Sequence, residues 1–283
     1  VAALRREPGG ANQPANRLDA RVLLEQAQAE QTIRNEAVRT FTQFSDPAWR
    51  VMFKEPPQFY RVTCPPGADC TRNPELARRE RMTGTPEQVR AEIAAAPPGA
   101  VLAVNGIQNT TERASVLAMQ NARPDQDGVK PATLFLMHYL PTGNAISELM
   151  VAGYEQNLAQ ALGHTNPTLA YANVLEARAG LETTSLGHSR GTLVQTNALR
   201  VLSREGVADR DFAVQGLGGP VAAEVFIGTA VRVVDPARAD RIEFSYFSND
   251  PIAVIAGGNP GVVSLSELWR VLTTSNSAHS CYG

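Results

Sequence analysis

The segment Gly187-His188-Ser189-Arg190-Gly191 constrains the fold more than any other. Residues 181–187 in front of it read as an apolar strand, and residues 191–205 behind it read as a helix ending at Gly206. A chain that turns from strand to helix within so few residues needs small side chains two before and two after the apex, because other backbone passes close by. Such a turn has its place in a sheet with helices packed on it. The pattern alone is weak, since a glycine-rich turn without chemistry meets the same description. The flanking strand and helix give it weight.

The same alternation begins after Pro97-Pro98-Gly99. Residues 100–104 form a continuous apolar run closed by Asn105-Gly106, as expected of a strand buried on both faces. Residues 133–139, 212–216 and 242–247 predict further strands, while 111–120, 147–162 and 264–272 predict helices. The expected class is α/β: an α/β-hydrolase-like, mainly parallel sheet with helices on both faces.

Residues 1–95 differ in character. Residues 1–16 are rich in Arg, Gly, Pro and Asn and read as a linker or arm. From Leu18 to Phe44 the apolar residues gather near one helical face, with Asn16 placed to cap the start and Asp46-Pro47 expected to break the helix. Thr85-Pro86-Glu87-Gln88 predicts a second capped helix. The expected organisation is a helical, loop-rich N-terminal region over 1–95, a linker, delivery or adaptor segment with few strands, then a catalytic domain over 96–283.

Hydrophobic content of 43% and charged content of 19% are those of an ordinary globular chain. A formal net charge of −2 and the lack of a basic, aromatic-rich patch argue against nucleic acid as a partner, and so against a nuclease. No apolar run is long enough to span a bilayer, and the start at Val1 reads as a piece of a longer precursor. Cys64 and Cys70 bracket a short proline-containing loop; a disulfide ring and a pair of free thiols both remain open, with Cys281 left over. No Cys or His pair lies nearby to complete a zinc site, and no glycine-rich segment has the spacing of a phosphate cradle, so no metal or cofactor is expected.

A serine hydroxyl needs a general base to act as a nucleophile. With Ser189 as nucleophile, His279 is the one downstream histidine, and Asp250 in Ser248-Asn249-Asp250-Pro251 follows a late strand. An acid there holds the imidazole in the required tautomer and stabilises its cation. Asp250 is also a turn former, and Asp235, before that strand, is the reserve. The oxyanion donors expected are the amide of Arg190 and that of Gly106 or Ile107, after the early strand. His188 is expected to pack beside the serine, His138 to be a satisfied core or rim residue, and His164 to lie on the surface.

The segments 186–192, Val104-Asn105-Gly106-Ile107, Ser248-Asn249-Asp250-Pro251 and Asn276-Ser277-Ala278-His279-Ser280-Cys281-Tyr282 together resemble the C-terminal region of large bacterial exoproteins. These are the filamentous-haemagglutinin-like proteins, including contact-dependent growth inhibition effectors; more broadly the chain resembles lipase-like α/β hydrolases over about its last two-thirds. The resemblance implies a secreted or surface-displayed effector domain, delivered into target cells, with an immunity protein as partner. It implies a serine esterase cleaving carboxylic esters, lipid or phospholipid, at a membrane surface. Arg190 departs from the smaller residue many lipases carry there; either it binds an anionic substrate or it meets a carboxylate of the fold. An amidase or peptidase with the same triad, and an inactive fold used for adhesion or partner binding, stay open. Residues 141–163, or the N-terminal helices, are candidates for a lid.

Overall fold

A computed structural model describes residues 15–70, 72–106, 109–122, 133–264, 266, 267 and 270. The chain divides into two compact units, Val1–Asp46 and Pro47–Gly283. Helix α1 (Ala15–Trp49), which lies in the first unit up to Asp46, begins before Asn16 and exposes Ile33, Val38 and Phe41. It also runs through Pro47 instead of stopping there. Proline removes one backbone donor and crowds the preceding turn, and here the helix ends just after it in a wider turn, Arg50–Lys54.

The second unit is built on a seven-stranded sheet in the order β2-β1-β4-β3-β5-β6-β7. Its strands are β1 (Gln58–Thr63), β2 (Arg78–Arg81), β3 (Ala100–Val104), β4 (Thr133–His138), β5 (Thr183–His188), β6 (Phe212–Leu217) and β7 (Ile242–Ser245). β3 to β7 pair in parallel, and β1 pairs antiparallel with both β4 and β2. The expectation of an α/β protein with a mainly parallel sheet therefore holds.

The boundary expected at residue 96 does not. β1 and β2 come from the stretch read as helical and loop-rich, yet they extend the same sheet. They escaped notice because they bury little: β2, Arg-Arg-Glu-Arg, is an edge strand exposed throughout, and β1, next to it, buries only Val62. Such strands carry neither an apolar run nor clean alternation. Edge charge also discourages pairing with other chains. Cys64 and Cys70, just beyond β1, are joined by a disulfide.

The central strands are apolar because both faces are covered. Ala100, Leu102 and Val104 of β3 face one core with helices α2 (Pro86–Ala94), α6 (Asn166–Ala177), α7 (Arg190–Arg204) and α8 (Ala223–Ala230). Val101 and Ala103 face the other, with α3 (Thr111–Asn121). This is the period-two alternation of a strand, read out as two separate cores. α2 starts as its sequence predicts: Gln88 N–H donates to Thr85 Oγ1 at 3.3 Å and Thr85 N–H donates to Gln88 Oε1 at 2.8 Å. The stretch expected as one helix over 147–162 is two, α4 (Ala145–Asn157) and α5 (Ala159–Leu162). α7 is the most enclosed helix, buried from Arg190 to Leu199.

Candidate active site

The carboxyl ends of β3, β5, β6 and β7 lie along one edge of the parallel sheet, where open α/β sheets place their ligands. β5 delivers the chain to Ser189 and α7 leaves it at Arg190. Ser189 has φ 54° and ψ −128°, a backbone conformation that L side chains rarely adopt. It is held there at both ends: Ser189 N–H donates to Leu217 O at 2.8 Å, and Thr192 N–H donates to Ser189 O at 2.9 Å.

The flanking glycines are required by contact. A Cβ on Gly191 would meet the carbonyl oxygens of Val104 and Asn105, which are backbone and cannot swing away. A Cβ on Gly187 would meet Gln195 Oε1 and lie 2.9 Å from Thr192 Cα. Behind the turn, Gln195 Nε2 donates to Ser185 O at 2.9 Å and to Ser185 Oγ at 2.8 Å. Tyr171 OH bonds the same Oγ and Leu102 O, each at 2.8 Å. Buried hydrogen bonds of this kind fix a local geometry, although Gln195 Oε1 itself is buried without a hydrogen-bond partner.

Gly106 packs directly against the serine. A Cβ there would lie 2.8 Å from His188 Nδ1 and 2.9 Å from Ser189 Cβ. Asn105 holds this loop by accepting from Tyr139 N–H at 3.2 Å and donating to Gly106 O at 3.1 Å. The amide of Arg190 belongs to the first turn of α7, whose N–H groups have no acceptor within the helix and carry its positive end. Ser189, Arg190 and Gly106 are thus together. Ile107 and His279 lie outside the described residues.

Asp250 is fully buried, in the turn that follows β7. Its Oδ1 accepts from Ile252 N–H at 2.9 Å, and its own N–H donates to Phe247 O at 2.9 Å. Asp235 is placed differently: its carboxylate caps the turn Pro236–Arg241, accepting from Ala237 N–H at 2.8 Å, ahead of β7 at the amino end of the strand. The reserve acid is therefore a helix cap, far along the strand from the serine's edge.

Of the two partners foreseen for Arg190, the carboxylate of the fold is the one found. The guanidinium is fully buried; Nε donates to Glu155 Oε2 at 2.9 Å and NH1 donates to Glu148 Oε2 at 3.0 Å. The ring of Tyr139 lies 3.7 Å below it. Burial alone would lower the Arg190 pKa, but the carboxylates of Glu155 and Glu148 outweigh it and raise it. Glu148 also accepts from Thr142 N–H at 2.6 Å, and Glu155 from Thr165 Oγ1 at 3.1 Å. This cluster bolts α4 to the serine turn, so the segment proposed as a lid is anchored at its core. The signal in the sequence was there: two glutamates seven apart share a face of an otherwise apolar helix.

His138, expected to be a satisfied core or rim residue, is buried and only half satisfied: Nε2 bonds Asn109 O at 2.9 Å, while Nδ1 is buried without a hydrogen-bond partner. His164 is half-buried. Among the described residues no group of His, Cys, Asp and Glu is arranged to hold a metal ion, and no helix is long and apolar enough to cross a membrane. Compared with known proteins, the chain matches no family model, no curated protein and no solved structure.

Proposed function

We propose that the chain is a serine hydrolase of the α/β-hydrolase type, cleaving carboxylic esters through Ser189, His279 and Asp250. The observation that carries this reading is the backbone of Ser189, forced to positive φ between a parallel strand and a buried helix, with Gly106 against it. A non-glycine residue is held so only where its surroundings over-determine it, and such strain concentrates at functional sites.

In this reading Ser189 Oγ attacks the ester carbonyl carbon and His279 takes the hydroxyl proton. The oxyanion is held by the amides of Arg190 and of Gly106 or Ile107. His279 returns the proton to the departing alcohol, leaving an acyl-enzyme, and water attacks that ester by the same route in reverse. Asp250 orients His279 and stabilises its cation. Ser189 is only 1% exposed, so substrate reaches it through a narrow opening or after covering residues move. Lipid or phospholipid esters are the substrate class proposed, on the resemblance to lipase-like hydrolases. On the exoprotein resemblance we further propose a secreted or surface-displayed effector with an immunity partner; the disulfide between Cys64 and Cys70 supports an oxidising compartment.

The test is labelling by a fluorophosphonate probe, with and without detergent, followed by ester and phospholipid hydrolysis. Labelling is expected in the parent chain, absent in Ser189→Ala and weak in His279→Ala. Asp250→Asn should keep the fold and lower turnover by about 10⁴-fold, as loss of the orienting acid does in such triads. A folded parent chain that never labels would point instead to an inactive hydrolase fold used for binding.

A further inference from the structure

A groove of about 370 Å³ runs between the C-terminal half of α7 and helix α8. Arg200, Arg204 and Arg232 line it together with Ser203, Thr229 and Glu224. Arg200 sits ten residues after Arg190, which places the groove roughly 15 Å along α7 from the serine turn. It is a different place from the candidate active site.

The three arginines differ from the paired arginines around the sheet. Arg238 pairs with Asp211, Arg241 with Glu182, and Arg190 with Glu148 and Glu155. Among the described residues, Arg200, Arg204 and Arg232 have no carboxylate within ion-pair distance. Arg200 NH1 donates to Asn197 Oδ1 at 3.0 Å, and Arg204 NH2 donates to Gln160 Oε1 at 3.1 Å. Both acceptors are neutral, and each guanidinium has five donors, so the larger part of each fork remains for a ligand. A helix end favours one cation nearby, which accounts for Arg204 at the end of α7. It does not account for three guanidiniums converging on one groove from α7 and from the turn that follows α8, with Arg200 half-buried among them.

Their mutual repulsion is visible in the neighbouring groups. Burial, then Arg204 and Arg232, lowers the Arg200 pKa. Burial, then Arg204 and Arg200, lowers that of His164. A local excess of positive charge in a chain of net charge −2 is relieved by an anion. Planar guanidinium forks match phosphate oxygens in pairs, better than they match a halide.

We propose that this groove binds a phosphate-bearing ligand, through Arg200, Arg204 and Arg232. The inference does not rest on the hydrolase reading: it concerns other residues and another surface. The same chemistry is supplied by a free phosphate compound or by an anionic lipid headgroup.

The experiment is titration of the full chain with inorganic phosphate, followed by ³¹P NMR at constant ionic strength set with chloride, beside flotation on phosphatidylcholine vesicles with and without phosphatidic acid. Arg200→Gln with Arg204→Gln should weaken binding about tenfold. Glu224→Gln removes the one carboxylate lining the groove and should tighten binding about threefold; a gain of this kind cannot come from misfolding. Phosphate binding with that response supports a soluble ligand. Flotation that needs phosphatidic acid and is lost in the double variant supports a headgroup. The proposal is overturned if neither probe binds, or if binding is indifferent to all three substitutions.

Discussion

The conformation of Ser189 is a statement about energy as well as chemistry. Holding a non-glycine residue at φ 54° and ψ −128° costs about 1–3 kcal/mol, whereas glycine there costs chain entropy of only about 0.5–1 kcal/mol. Ser189→Ala and Ser189→Gly both lose the hydroxyl, but only glycine releases the strain. Ser189→Gly is therefore expected to be more stable than Ser189→Ala by about 1 kcal/mol, read as a higher urea midpoint at unchanged slope. Equal midpoints would mean that the turn is not strained. His138 makes a second prediction. Burial lowers its pKa, against its bond to Asn109 O and the charge of Glu112, so the folded state favours the neutral ring. Its contribution is complete above the ordinary imidazole value of about 6.5 and is lost as pH falls from there toward the lower folded value. In urea unfolding across that range, His138→Gln, which keeps a donor for Asn109, should lose less stability than the parent chain. Parallel profiles would refute the assignment. The identity of the candidate nucleophile was legible, because a serine between two glycines at a strand-to-helix turn has few alternative uses. The role of its neighbour was not, since an arginine side chain reaches far enough to end in solvent, substrate or core.

Among the elements, α4 and α7 are joined by charge in the interior. Arg190 faces two carboxylates there, and each of the three carries further bonds or a ring contact. Removing one member of a buried ion cluster leaves uncompensated charge, worth about 3–5 kcal/mol. Arg190→Met is expected to cost that much in urea unfolding, and Arg190→Met combined with Glu148→Gln and Glu155→Gln should recover most of it. A loss below about 1 kcal/mol for the single change would show that the cluster is hydrated and loose. Because the Arg190 pKa is raised, the contribution of its charge is complete below the ordinary guanidinium value and is lost only as pH rises from there through the raised one, so it should be flat across neutral pH. A second buried arginine works at the opposite edge of the sheet. Arg178 donates to Thr183 Oγ1 at 2.8 Å and to the carbonyls of Ile93, Ala96 and Pro97 at 3.0, 2.8 and 2.8 Å, closing the C-terminal end of α2 onto β5. Neither arginine announces itself in the sequence. Helix α2 did, through its capping box, because that signal is local to four residues.

At the level of the whole molecule, the order of the strands decides what the chemistry-bearing residues can do together. Parallel pairing of β3, β5, β6 and β7 carries Gly106, Ser189 and Asp250 to the same edge, although they are separated by long stretches of chain. Asp235, closer to Ser189 in sequence than Asp250 is, falls at the other end of β7 and caps a turn. By itself the sequence determined the α/β class, the central strands and the strand-to-helix turn at Ser189, since these follow from apolar runs, helical periodicity and small residues in short windows. It also left the Cys64–Cys70 pairing and the partner of Arg190 open. Only the tertiary structure decided those, together with strands β1 and β2, the end of the first unit near Pro47, and the convergence of Arg200, Arg204 and Arg232. Each of these depends on which distant segments become neighbours, and that is set by burial summed over the whole sheet.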